Sequence, residues 1–350
     1  MSLLDNHDGL LVDLDGTVWN GDTAIEAAIS VLNDVDVPVA FVTNNASKPH
    51  SAVVEKLQKL GIADEKPTVF NSVDAVLEVL AEEASPGSTV LVVGAEWLHE
   101  VVRNAGYEVV TSAGQDPSNS GIAAVVQGHN PENGWAQLSE IALAVRAGAR
   151  YLVTNADTSL PTERGFCLGN GALAAAVTAS TDVYPRAAGK PEPELFKLAA
   201  QKIGAKNPLC IGDRLNTDIA GANSAGFDSL HVLTGVSGAI ELLEAPPEHR
   251  PTYIGADISD VLSPAQQLVP GPQGDFTARG DGHDVLLERG IEHVDNTQAN
   301  TSQHNTAAAS LAVSLAALRT VLEVAWAMPK PPRYIHPRSV AAEHAVADWR

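Results

Sequence analysis

Short apolar runs that each stop at a polar cluster constrain this chain more than any other feature of it. Gly9-Leu10-Leu11-Val12 halts at Asp13, Val37 to Val42 halts at Thr43-Asn44-Asn45, and Leu209 to Gly212 halts at Asp213. Runs this short and this apolar read as buried strands. Helical patterns lie between them. Thr23 to Leu32 supplies one, Pro49 to Leu60 a second with Gly61 as its stop. A third opens at Pro191 and closes at Gly204, with Leu195, Leu198, Ala199 and Ile203 on one face. Strand and helix in alternation predict an α/β, Rossmann-like, mostly parallel sheet. In such sheets ligands bind outside the carboxyl ends of the strands. Asp13, Thr43 and Asp213 fall where a site belongs.

A second α/β set follows, with strands at Thr89 to Val93, Ala123 to Gln127 and Tyr151 to Thr154. Helices are expected over Glu96 to Ala105 and Gly134 to Ala147. The pattern predicts a core domain over residues 1–80 and 184–266, interrupted by an inserted domain over 81–183. Pro264, Pro270 and Pro272 then mark a linker. Residues 274–350 read as a small α+β module with a polar segment around Asn296 to Asn305. Within it, Ala307 to Met328 is about long enough to cross a bilayer, but carries Ser310, Ser314, Arg319, Thr320 and Glu323. A packed helix of a soluble protein is the expectation.

Acidic residues outnumber Lys and Arg by 43 to 22, giving a formal charge of -21. That balance argues against nucleic acid and against insertion into or binding to an anionic membrane. It also requires a local cation, a metal or a lysine, wherever an anionic substrate is to bind. Cys167 and Cys210 stand far apart without a CxxC pair, so neither a disulfide framework nor a zinc site is expected, only two buried or semi-buried thiols. His7, His50, His129 and His231 have no metal-site spacing. The polar, acidic start of the chain does not resemble a signal peptide, and a cytoplasmic location is expected.

The chemistry-bearing residues sit at the strand ends. In Asp13-Leu14-Asp15-Gly16-Thr17, period-two alternation aims two carboxylates at one cavity, where one can attack or ligate and the other carry a proton. The bland alternative is an Asp-Gly turn. Thr43-Asn44 offers a hydroxyl and an amide for phosphate oxygens, or ordinary turn chemistry. Lys190, in Gly189-Lys190-Pro191, pairs a cation with a helix start, or is a solvated lysine. Asp213 and Asp218 are hard oxygen ligands suited to magnesium, or a turn residue and a helix-start charge.

Taken together, DLDGTVW, FVTNN, GKPEPELF and IGDRLNTDIAGANSAG resemble the motifs of the haloacid dehalogenase-like (HAD) hydrolases. With TNADTSLPTERGFCLGNGAL they are similar to subclass IIA, the NagD-like and p-nitrophenylphosphatase-like phosphatases, over residues 8 to about 262. The resemblance implies a HAD core with a C2-type α/β cap inserted into it. It implies Asp13 as the nucleophile that becomes an aspartyl-phosphate, and Asp15 as the acid and then the base. Thr43 and the Asn44 backbone would hold the phosphoryl group and Lys190 would neutralise it. Mg2+ would be held by Asp13, the main-chain oxygen of Asp15 and Asp213, with Asp218 fixing a metal-bound water. Asn155, Asp157, Gly169 and Asn170 are the cap positions for specificity, though the glycines could equally only shape a turn. The tail resembles that of a group of bacterial glycerol-3-phosphate phosphatases, which is related to the GCN5-type (GNAT) acetyltransferase fold but too short for that activity.

The expected function is therefore magnesium-dependent hydrolysis of a small phosphate monoester, with glycerol 3-phosphate favoured. Phosphoglycolate, pyridoxal phosphate, nucleotide monophosphates and sugar phosphates stand as alternatives. So does a non-catalytic regulatory protein, against which the presence of both Asp13 and Asp15 argues. The sequence is silent on oligomeric state; a homodimer is compatible with it.

Overall fold

The computed structural model describes residues 1–350 except 47, 66, 163, 291–302, 348 and 350. Much of the polar segment around Asn296 to Asn305 lies outside the described residues. By contact density the chain divides into Met1–Val39 with Ala205–Arg350, and Ala40–Gly204.

In the first unit, four strands run parallel in the order Tyr253–Gly255, Asp228–Val232, Leu209–Gly212, Leu10–Val12. Every residue of Leu10–Val12 and Leu209–Gly212 is buried. Sheets covered on both faces demand such continuous apolar runs. Register pairs Leu10 with Leu209 and Val12 with Ile211, so the two runs end side by side. The helix read over Thr23 to Leu32 begins later, at Glu26, and ends at Asp34. Thr23–Ala24 instead pairs antiparallel with Trp19–Asn20. Two β-branched or aromatic residues facing a tight turn at Gly21 (φ +59°) prefer that ribbon to a helix start.

The tail is α+β. Phe276–Asp281 and Asp284–Arg289 form a hairpin, Ile335–Pro337 adds parallel to its second strand, and the helices are Gln303–Ala327 and Val340–Ala347. Described apolar residues of the tail pack into a core shared with the sheet. Phe276, Val285, Leu318, Val321 and Leu322 share one cluster with Leu215, Ile219, Leu242 and Ile254. Ser310–Ala327 is long and apolar enough to cross a membrane, yet half of it is buried inside the protein. Within that window the Arg319 side chain is buried, and its Nε donates to the Ile254 carbonyl at 2.9 Å, capping the edge strand of the sheet. The helix is thus a core element. The linker read near residue 264 is likewise ordered, its Leu268 carbonyl accepting from Ile254 N at 2.8 Å.

The second unit begins with parallel strands Val39–Thr43 and Val69–Asn71. Asn71 caps the helix Ser72–Glu83 in a capping box with Asp74. A five-stranded parallel sheet follows in the order Arg186–Ala187, Arg150–Val153, Ile122–Gln127, Thr89–Val93, Glu108–Val110. Ser159–Thr162 and Gly165–Leu168 make an antiparallel hairpin. Cys167 lies on it and is exposed, contrary to the buried thiol expected; Cys210 is buried. The helix expected from Pro191 starts at Glu194, with Pro193 as its N-cap. Pro191 and Pro193 hold the chain out of helix until the second has passed.

Candidate active site

Strand register alone places the first carboxylates. Asp13 follows Val12, Asp213 follows Gly212, and Asp13 N donates to the Ile211 carbonyl at 2.9 Å. One π-helical turn, Leu215–Ile219, then brings Asp218 back beside them. Asp13, Asp213 and Asp218 each offer an oxygen within 4.8 Å of the others, and all three are buried. Such a cluster is costly without a cation. The surrounding backbone is cut to fit it. A Cβ on Gly16 (φ +92°) would lie 2.4 Å from Asp213 Oδ2, and one on Gly235 2.0 Å from the same atom. A Cβ on Gly212 would meet Asp218 Cβ at 2.3 Å. Three acidic oxygens in a buried, glycine-lined niche fit a small hard cation such as magnesium.

Backbone groups fix the cluster. Asp213 Oδ2 accepts from Val236 N at 2.6 Å and its carbonyl from Ser237 N at 3.1 Å. Asp218 Oδ2 accepts from Arg214 N at 3.0 Å. The loop after Val232 was not singled out from the sequence as functional, because what it gives is a main-chain N–H. Its only signal is the glycine at 235. Beneath it His231 is fully buried, and its Nε2 meets the Ser237 carbonyl at 2.9 Å. Burial pushes the imidazole down to about 4. The neutral ring's advantage is complete above about pH 6.5 and is lost as pH falls towards 4, since there the unfolded chain takes up a proton that the folded one refuses. We expect the stability of this unit to urea to fall by about 1.4 kcal/mol for each pH unit of acidification in that window, and His231→Asn to flatten the slope. His50, raised by its hydrogen bond to Asp74, works in the opposite sense in the other unit.

Asp15 departs from the alternation argument. The strand ends at Val12, and the chain then turns about the Leu14 carbonyl, which accepts from Thr17, Val18 and Trp19 N. Asp13 is buried; Asp15 is exposed, outside the carboxylate cluster, and its Oδ1 accepts from Trp19 Nε1 at 2.8 Å. Asp15 and Asp13 therefore sit in different environments, one exposed and one buried.

In the Ala40–Gly204 unit, the remaining residues singled out from the sequence gather around Asn44. Thr43 is buried, its Oγ1 accepting from Asn45 N at 3.1 Å. Asn44 Nδ2 donates to the Lys190 carbonyl at 2.9 Å and to both Asp157 oxygens at 3.2 Å. Its own carbonyl accepts from Ser72 Oγ and Asn155 Nδ2 at 2.8 and 2.9 Å. Lys190 is 3% exposed, not a solvated lysine, with Nζ donating to the Val42 carbonyl at 3.2 Å. Asn170 is buried too, bonded to the Asn155 carbonyl and to Gln127. A Cβ on Gly169 would lie 2.1 Å from the Asp157 carbonyl oxygen, which explains the glycine by backbone approach. Asn155 and Asn170 therefore spend their amides inside the fold, bracing the Thr43-Asn44 turn.

Comparison with known proteins meets this geometry from the other side. The family model described as haloacid dehalogenase-like hydrolase matches residues 10–108, and a HAD-hydrolase-like model matches residues 187–261. A D-glycerol 3-phosphate phosphatase of Mycobacterium tuberculosis is 42% identical over 272 residues, covering 78% of this chain and 76% of that protein. The chain belongs to the haloacid dehalogenase-like hydrolases. An acid sugar phosphatase of Staphylococcus saprophyticus is 35% identical over 264 residues, 73% of this chain and 97% of its own. The crystal structure of a glycerol phosphate phosphatase from Mycobacterium tuberculosis in complex with magnesium matches with a TM-score of 0.87 at 36% identity, covering 100% of this chain and 98% of that one. Asp13 falls within the first matched range, and Asp213 and Asp218 within the second. The tail, too, falls within the structural match.

Proposed function

We propose that the protein is a magnesium-dependent phosphatase of small phosphate monoesters, with glycerol 3-phosphate as its preferred substrate. The observation that carries the chemistry is the buried Asp13, Asp213 and Asp218 cluster with Asp15 held just outside it. Asp13 attacks phosphorus in line, and Asp15 gives its proton to the departing alcohol oxygen. Asp15 then takes a proton from the water that hydrolyses the aspartyl-phosphate. Thr43 and the Asn44 backbone bind the phosphoryl oxygens, and Lys190 supplies the local cation that a chain of charge -21 needs. Asp13, Asp213, the Asp15 main-chain oxygen and Asp218, directly or through water, would hold Mg2+, which when bound supplies positive charge to the phosphate.

We assign the core to residues 1–80 and 184–266 and the cap to 81–183; four strands of the five-stranded sheet fall inside that cap, and the fifth, Arg186–Ala187, lies just past its end. Among the cap positions, half-buried Asp157 is best suited to meet the leaving group's hydroxyls. The two relatives offer two substrates, a glycerol phosphate and a sugar phosphate. The match to the former's structure runs through the tail, and that favours glycerol 3-phosphate. A cytoplasmic location suits such a metabolite.

Steady-state kinetics with Mg2+ on glycerol 3-phosphate, phosphoglycolate, pyridoxal phosphate, a nucleoside monophosphate and a hexose phosphate test the assignment. Glycerol 3-phosphate is expected to lead in kcat/KM by about tenfold or more, the scale of a few well-placed hydrogen bonds. A lead for the nucleotide or the hexose phosphate overturns it.

A further inference from the structure

The Asp15 carboxylate has two oxygens, and only one can carry the proton to the leaving group. Its Oδ1 accepts the Trp19 indole N–H at 2.8 Å. No other described residue bonds this carboxylate. An indole nitrogen is a donor only, so the oxygen it faces must be the one without the proton. Trp19 itself is 3% exposed and anchored on both sides. Its N and O are tied to Leu14 O and Gly16 N at 3.2 and 2.7 Å, and its strand pairs with Thr23–Ala24. The next residue, Asn20, donates Nδ2 to the Thr234 carbonyl at 3.1 Å, and the Thr234 hydroxyl donates to the Gly16 carbonyl. That same loop supplies Val236 N to Asp213. The donor is therefore fixed to the frame that fixes the cluster, while the carboxylate it holds is exposed.

We propose that Trp19 is a positioning residue for proton transfer: its indole N–H pins Asp15 Oδ1, so that Oδ2 alone carries the proton and points it at the leaving oxygen. The proposal rests on the reading of Asp15 as the proton carrier. In the first step the Oδ2 proton passes to the bridging oxygen, which keeps the electron pair of the breaking P–O bond, while Asp13 forms the new bond to phosphorus. In the second, Oδ2 recovers a proton from the attacking water. Without the indole the carboxylate rotates freely about its last bond and spends its time in unproductive orientations.

Trp19→Phe removes the donor and keeps an aromatic ring. The readout is kcat/KM, which reports only steps up to formation of the aspartyl-phosphate, on two substrates. From glycerol 3-phosphate the glycerol departs as an alkoxide unless it is protonated; from p-nitrophenyl phosphate the p-nitrophenolate departs as a stable anion that needs no acid. We expect Trp19→Phe to lower kcat/KM for the alkyl ester by about 10- to 100-fold and for the aryl ester by less than about threefold. In an Asp15→Asn background the same substitution should cost nothing further on the alkyl ester. Equal losses on both esters, no loss on either, or a full additional loss in the Asp15→Asn background would each overturn the role of Trp19. Undiminished alkyl activity in Asp15→Asn alone would instead overturn the assignment of Asp15.

Discussion

Asp13→Asn is expected to lower kcat by at least about 10^4-fold while leaving the folded protein intact or stabilised. The activity loss follows from what an amide is: a poor nucleophile that cannot form the mixed anhydride with phosphate. The stability result follows from the surroundings. Asp13 is one of three buried carboxylates with oxygens within 4.8 Å of one another. At an effective dielectric constant near 20, each like-charged pair at that distance costs on the order of 3–4 kcal/mol. An amide of the same shape removes two of those pairs. In chelator the variant should therefore melt no lower than the parent protein, measured by calorimetry alongside turnover. A fall in melting temperature together with lost activity would instead describe a structural aspartate.

The second large effect is metal dependence. Chelation should abolish turnover, and added Mg2+ should both restore it and raise the melting transition of the unit that holds the cluster. At a hundredfold excess over its dissociation constant the ion stabilises by about 2.7 kcal/mol, on the order of 5–10 °C for a unit of this size. Gly235→Ala separates this from a general salt effect. Its Cβ would stand 2.0 Å from Asp213 Oδ2, so the carboxylate must move. Gly235 is not itself a ligand, and the displaced aspartate should weaken Mg2+ binding by about 10- to 100-fold. Titration calorimetry with Mg2+ checks this. Unchanged affinity in Gly235→Ala would mean that Asp213 does not face the ion.

What could be read from the sequence, and what could not, divides along physical lines. Asp13 and Asp213 were legible because a buried parallel strand must be apolar throughout, so a carboxylate at its end stands out. Asp218 was legible as an acid one turn beyond, although the π-helical turn that returns it to the cluster left no mark in composition. Thr43 and Lys190 were found by motif, but the burial of Lys190 was not, since lysine is ordinarily exposed. The pairing of Asp13 with Asp15 was reached by strand alternation, whereas the chain leaves strand geometry at Asp13 and turns about Leu14. The indole of Trp19 and the backbone of Val236 were illegible for a shared reason. Each matters through the direction of one N–H, which the tertiary turn decides and residue identity does not. Asn155 and Asn170, which the resemblance offers as candidate specificity positions, have their amides bonded within the fold, a contact that only the tertiary structure decides.

Trapping the covalent intermediate tests the central claim most directly. Asp15→Asn lacks the base for hydrolysis but can still be phosphorylated by p-nitrophenyl phosphate, whose leaving group needs no acid. After acid quench and proteolysis, mass spectrometry should find one phosphoryl group on the peptide containing Asp13, stable in acid and released by hydroxylamine as an acyl phosphate is. A protein that turns over this ester yet carries no phosphoryl group, or carries it on any residue but Asp13, would contradict the account.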